Sequence, residues 1–203
     1  MPSLSAIRGA LARPAAPPQP PSKLTAAVAM ALAGPPDALE LCFILRATRQ
    51  GDRWSGQMAF PGGKAEAQDD SAEAAAIREA HEEVGLELHR AESLGALPPM
   101  PLRPTASGML APFAFYVGPS RPPLVPNPGE VARTYWLPLT HLWDPANRGT
   151  IDWPWQGKTL RFPGIKVEDQ IIWGLTYRVL AQWSELLEHP LPGADEQPYQ
   201  RVR

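Results

Sequence analysis

The sequence predicts an α/β protein in which a mixed β-sheet is sandwiched between helices, an α/β/α arrangement. Three observations lead there. Apolar, strand-like runs lie on both sides of one amphipathic segment that stops at Gly85, a second helical periodicity closes the chain at 171–187, and proline clusters at 14–21, 98–104, 119–128 and 190–198 mark edges between elements.

Residues 1–22 combine a weak helical stripe, Leu4, Ile7 and Leu11, with Arg8 and Arg13 and then a proline-rich stretch. They are expected to form a short helix and an extended linker, an extension ahead of one domain at 23–189, with 190–203 as a tail. Two arginines are thin support for a transit peptide. Residues 26–32 and 38–47 are apolar and bounded by Gly34-Pro35-Pro36-Asp37, which reads as two strands joined by a turn, the first unusually rich in alanine. Strands are expected at 92–97, 105–117, 131–137 and 159–162, the last ending at Pro163-Gly164. Apolar residues at helical spacing over 171–187 predict a terminal helix started near Asp169. There is no internal repeat.

The helix that ends at Gly85 carries the chemistry. At about 100° per residue, Glu79, Glu82 and Glu83 share one face, while Ile77, Ala80 and Val84 occupy the other. Three acids this close repel one another, and a divalent cation resolves the conflict; hard Mg²⁺ or Mn²⁺ prefers oxygen ligands and bridges to phosphate oxygens. The bland alternative is a solvated acidic face. Upstream, Gly62 and Gly63 of Pro61-Gly62-Gly63 allow positive φ and close approach of backbone to a ligand. Asp70 with Glu73 reads as a capping box, and Gly85 as a left-handed stop.

This Gly-Gly loop followed by an Arg-Glu-x-x-Glu-Glu-x-Gly helix, Arg78 to Gly85, resembles the signature of the Nudix hydrolases. The stretch between Gly63 and Arg78 is one residue longer than is usual in that family. With Asp69 and Phe60-Pro61-Gly62-Gly63, the longer spacing resembles the coenzyme A diphosphatase branch. Pro126-Asn127-Pro128-Gly129-Glu130-Val131 leading into Tyr135-Trp136-Leu137-Pro138-Leu139 is similar to that branch as well, and the likeness spans roughly 25–187. Upstream, Arg46, Arg49 and Arg53 precede Gly56 at a spacing that departs from the branch's arginine pattern. The resemblance implies the α/β/α Nudix sandwich and a metal-dependent diphosphatase, with coenzyme A or an acyl derivative as the favoured substrate.

Within that reading Glu79, Glu82 and Glu83 are expected to hold Mg²⁺ or Mn²⁺, and Arg78 to orient a carboxylate. Glu83 is the first candidate for general base and Glu130, in the 126–131 loop, the second. Arg46, Arg49, Arg53 and Lys64, with Gly62 and Gly63, are the expected substrate contacts. Glu66 and Asp69 are placed near the metal region. Trp54, Phe60 and Trp136 are candidates to stack on a base, against the commoner role of core aromatics. Trp153, Trp155, Trp173 and Trp183 are expected to pack the terminal helix or an interface, and His81 to be a structural neighbour.

Composition narrows the classes. A formal charge of −2 provides no basic field for nucleic acid, and no window approaches the roughly 20 apolar residues of a membrane span. A cytoplasmic location is expected. The single Cys42, in an apolar run, forms no internal disulfide and reads as a small core residue. The partner is expected to be a small nucleotide-type molecule, and the tryptophan-rich C-terminal third suggests a homodimer. Rival readings are a hydrolase of nucleotide sugars, dinucleoside polyphosphates or oxidised nucleotides, a non-catalytic nucleotide sensor, and a structural protein acting through its proline-rich start.

Overall fold

The computed structural model describes residues 1–12, 26–51, 54–102, 108–155, 158–192 and 200–201. Helix α1 (Leu4–Leu11) precedes strands β1 (Ala26–Ala33), β2 (Glu40–Arg46), β3 (Met58–Ala59) and β4 (Gly62–Lys64), then helix α2 (Ala72–Val84). Strands β5 (Glu92–Ala96), β6 (Met100–Pro101), β7 (Met109–Gly118) and β8 (Val131–Pro138) follow, then the short α3 (Leu139–Trp143). Last come β9 (Arg148–Trp155), β10 (Lys158–Val167), β11 (Gln170–Trp173), α4 (Gly174–Leu186) and β12 (Gln200–Arg201).

Strand β1 lies at the centre of the main sheet, which is mixed, as the sequence predicts. It runs parallel to β7 along its whole length, from Ala26 opposite Leu110 to Ala33 opposite Gly118. Its other edge is divided between two antiparallel neighbours, β2 at Leu32–Ala33 and β4 at Ala26–Val28. Beyond these, β2 pairs with β3 and β8, and β7 with β5 and β6. A second sheet joins β9, β11 and β12 to β10.

The alanine content of β1 now has a physical reason. Ala27, Ala29 and Ala31 point to one face of the sheet and meet Ala72, Ala75, Ala76 and Ala80 of α2, so helix and sheet approach closely. Met30 and Leu32 point to the other face, into a larger core with Leu41, Phe43, Leu180 and Trp183. The α1 stripe, Leu4, Ile7 and Leu11, is buried in that same larger core, and Arg8 donates two bonds to Glu92 of 2.8 and 2.7 Å. Cys42 is fully buried, and that burial pushes its thiol pKa up.

Four expectations change. The terminal helix begins at Gly174, not near Asp169, because Ile171 and Ile172 complete an antiparallel hairpin with β10 (Ile165 opposite Ile172); Gly174, at φ +61°, then redirects the chain. Asp169 sits in the hairpin turn and binds Arg133 at 2.9 Å. The strand expected at 159–162 continues through Pro163-Gly164 to Val167, paired with β9, which the sequence reading did not foresee. Helix α2 is capped by Ser71, whose Oγ accepts from the Ala74 N–H at 3.0 Å, not by Asp70, and Glu73 instead accepts from the Ser93 hydroxyl at 2.7 Å. The strand expected from 105 is β7, from Met109; residues 103–107, the proline-rich 14–21 and the tail at 193–199 lie outside the described residues.

Candidate active site

Helix α2 presents its charged face to the loop that carries Gly62 and Gly63. Gly85, in the left-handed conformation at φ +71°, ends the helix as expected, its N–H turned back to the Ala80 and His81 carbonyls. Gly62 has φ +154°, and a Cβ there would lie 2.3 Å from the Ala27 carbonyl oxygen. A Cβ on Gly63 would lie 2.4 Å from the Glu79 carboxylate. Gly62 is therefore required by its close approach to the backbone of β1, whereas a side chain at Gly63 would have to push aside the flexible end of Glu79.

The buried acid is Glu83, 2% exposed. Its Oε2 accepts the Gly62 N–H at 2.9 Å and its Oε1 lies 3.7 Å from Arg46 Nη1. Burial raises its pKa to about 7; the Gly62 bond and Arg46 oppose the rise, and Glu79 and Glu130 add to it. Glu79 is also shifted upward, by burial first, against the pull of Arg78 and with the neighbouring Glu82 and Glu130 adding to the rise. Glu82 is the exposed member of the trio.

Arg78 organises the acids around it. Its Nε and Nη2 grip the two oxygens of Asp69 at 3.0 Å each, and Nη1 donates to Glu79 and Glu82, also at 3.0 Å. Nη2 also donates to the Lys64 carbonyl at 3.1 Å, so Lys64 adjoins the site through its backbone while its side chain is exposed. The arginine's bidentate grip holds the Asp69 pKa below the usual carboxylate range, and the acids in turn raise that of Arg78. Asp69 also accepts from the Glu66 N–H at 2.7 Å, and Glu66 from the Gln68 amide.

A bulge between Leu45 and Arg46, where β2 pairs with β8, accompanies the turn of Arg46 toward Glu83. Arg49 reaches the 126–131 loop, Nε to the Gly129 carbonyl at 2.6 Å and Nη2 to Glu130 at 3.2 Å. Arg53 lies outside the described residues. Of the aromatic candidates, Phe60 belongs to the core, stacked on Phe43 at 4.8 Å; Trp136 is half-buried against the α2 side of the sheet, and Trp54 is 39% exposed. His81 is exposed on α2. Sequence reasoning did not find Ser55 and Asn127: the Ser55 hydroxyl accepts from the Arg49 N–H at 2.6 Å, and the Asn127 N–H donates to the Glu83 carbonyl at 2.9 Å. Asn127 sits inside a motif already quoted, but a backbone bond carries no side-chain signal.

Among the described residues no three side chains of the metal-ligating types are gathered as a preformed cluster: Arg78 holds Glu79 and Glu82, while Glu83 is turned to Gly62. The donor chemistry nonetheless fits a hard cation. The acids are all-oxygen donors; Glu82 and Glu130 hinder ionisation of Glu79, and Glu79 and Glu130 that of Glu83, a repulsion that a bound divalent ion removes.

A glycine loop set against an acid-bearing helix on a mixed sheet defines a class, and comparison with known proteins names it. The NUDIX domain model matches residues 23–155, and the chain belongs to the Nudix hydrolases, pyrophosphohydrolases that act on phosphorus anhydrides and generally use divalent cations. Its relatives include the uncharacterized Nudix hydrolase NudL of Photorhabdus laumondii, 31% identical over 134 residues, which cover 66% of this chain and 70% of that protein. The uncharacterized NudL of Yersinia pestis is 34% identical over 136 residues, 66% of this chain and 67% of that one. A MutT/nudix family protein from Enterococcus faecalis shares the fold at 16% identity, with a TM-score of 0.51 over 87% of this chain and 68% of that structure. No helix among the described residues is long and apolar enough to cross a membrane.

Proposed function

We propose that this chain is a Mg²⁺- or Mn²⁺-dependent diphosphatase of the coenzyme A branch, splitting coenzyme A or an acyl derivative into adenosine 3′,5′-bisphosphate and a 4′-phosphopantetheine product. The observation that carries the reading is the buried Glu83 carboxylate between the Gly62 N–H and Arg46, with Glu79 and Glu130 near enough to raise its pKa. The branch rests on Phe60-Pro61-Gly62-Gly63, the lengthened approach to Arg78 and the 126–131 motif.

Glu79, Glu82 and Glu83 would hold the cation, which when bound withdraws charge from the phosphoryl oxygens and lowers the pKa of water. Arg78 fixes the orientation of Glu79 and Glu82 through Nη1 and anchors itself on Asp69. Glu83, its carboxylate fixed by the Gly62 N–H, is the first candidate to accept a proton from the attacking water, and Glu130 is the second. Gly62 keeps the loop close to β1 and Gly63 keeps it close to the Glu79 carboxylate. Arg46, Lys64 and Arg53 supply positive charge for phosphate groups. The reading also takes the protein as cytoplasmic and its partner as a small nucleotide-type molecule.

The test is a screen of coenzyme A, nucleotide sugars, dinucleoside polyphosphates and nucleoside triphosphates with Mg²⁺ or Mn²⁺, in ¹⁸O-labelled water, with products identified by mass. Coenzyme A is expected to be the best substrate, with label in only one of the two products. A nucleotide sugar or dinucleotide turned over tenfold better would reassign the substrate while keeping the chemistry.

A further inference from the structure

Two loops far apart in sequence are fastened together beside the acidic helix by one side chain. Arg49, in the loop after β2, donates from Nε to the Gly129 carbonyl at 2.6 Å and from Nη2 to Glu130 Oε1 at 3.2 Å. Its own backbone is held in turn by one hydroxyl. Ser55 Oγ accepts from the Arg49 N–H at 2.6 Å and donates to the Arg49 carbonyl at 2.9 Å.

The far side of the 126–131 loop is bonded to the catalytic helix. The Asn127 N–H donates to the Glu83 carbonyl at 2.9 Å, Asn127 Oδ1 accepts from the Gly129 N–H at 3.1 Å, and the Ala47 N–H donates to the Glu130 carbonyl at 2.8 Å. The path from Glu83 to Ser55 is therefore continuous through Asn127, Gly129 and Arg49. A single exposed ion pair has little effect on stability, but here one planar fork spans a backbone carbonyl and a carboxylate, fixing a loop and a side chain together.

We propose that Arg49 is a positioning residue, supported by Ser55: it fixes the 126–131 loop and holds the Glu130 carboxylate at the edge of the acidic site, acting through Glu130 and not on the substrate. The kinetic consequence rests on the reading of Glu130 given above, whereas the loop anchoring does not.

Two measurements on the full chain test this, steady-state kinetics with the best substrate from the screen and hydrogen exchange of the Asn127, Glu130 and Val131 amides. Arg49→Ala is expected to lower kcat by about 10–100-fold through misplacement, with KM within about twofold of the parent. Arg49→Lys, which keeps the charge and loses the fork, restores little of it. Ser55→Ala gives a smaller loss of the same kind and serves as the gentler variant should Arg49→Ala fold poorly. The double variant Arg49→Ala/Glu130→Gln is no slower than Glu130→Gln alone to within about threefold, because both changes act through one group. The three amides exchange about tenfold faster in Arg49→Ala.

A raised KM with kcat kept, rescued by lysine and additive with Glu130→Gln, would make Arg49 a phosphate contact and overturn the proposal. So would unchanged exchange, or a Glu130→Gln enzyme as fast as the parent. If the parent chain hydrolyses no anhydride at all, the activity reading fails by itself, and the exchange measurement still decides whether Arg49 anchors the loop.

Discussion

Helices α2 and α4 have the same length, thirteen residues, and pack on the protein in opposite ways. Helix α4 buries large side chains, Tyr177, Val179, Leu180 and Trp183, and Trp183 meets Trp143 edge-on at 5.9 Å. Helix α2 buries four alanines, Val84 and one carboxylate, Glu83. Apolar burial scales with area, so α4 contributes far more to stability, whereas α2 spends its contact surface on proximity to the sheet. The comparison teaches where each property resides: the large-side-chain core supports the fold, and the alanine layer lets a charged helix lie close to a glycine loop.

The sharpest way to separate the two is Glu83→Gln. It should lower kcat by about 10²–10⁴-fold, the span for a lost general base, while unfolding shows a stability at pH 8 equal to or above the parent's. Trp183→Ala should do the reverse, costing about 3–5 kcal/mol in denaturant unfolding with KM unchanged in whatever remains folded. A large loss of affinity in that variant would mean the two helices are not separable. Next in size is Ala76→Leu, which inserts a side chain where helix meets sheet and should cost about 1–3 kcal/mol; because it lifts α2 from the sheet it should lower kcat as well.

A smaller effect concerns pH. The Glu83 pKa is raised from its ordinary 4.5 to about 7, so the unfolded chain ionises this group first. Its contribution to stability is fully present below pH 4.5 and is lost as pH rises through 7. Thermal unfolding without metal should therefore show a decline over this window that Glu83→Gln removes, and added Mg²⁺ should raise the midpoint more at pH 8 than at pH 5. Asp69 contributes with the opposite sign: held low by Arg78, it stabilises above its ordinary 3.8 and ceases to do so in acid. Least of all, Ser71→Ala should cost about 1 kcal/mol through the lost cap, with Asp70→Ala near neutral.

Periodicity and spacing made the acidic helix, its glycine stop and the mixed sheet legible, because each leaves a mark on residue type at fixed intervals. Ser71 was hidden by Asp70, since both residues can cap and only the first helical turn decides between them. The β11 hairpin was hidden inside an apolar run that also fits a helix, and the choice fell to pairing with β10, a contact between segments. At the site, residue types identified the acids and Arg78, but the division of labour among them depends on burial. Nothing in an Arg-Glu-x-x-Glu-Glu string says that Glu83 is covered, that Glu82 is exposed, or that Asp69 takes two of the arginine's donors.

The placement of β1 has a consequence for how the chain is made. Its parallel partner β7 ends at Gly118, some eighty residues downstream, so during synthesis at roughly 5–20 residues per second the central strand waits on the order of ten seconds for that neighbour to emerge. Until then that edge of an alanine-rich strand has no permanent mate; β2 and β4, which emerge earlier, occupy only the opposite edge, so the open one can pair with another copy on the same messenger.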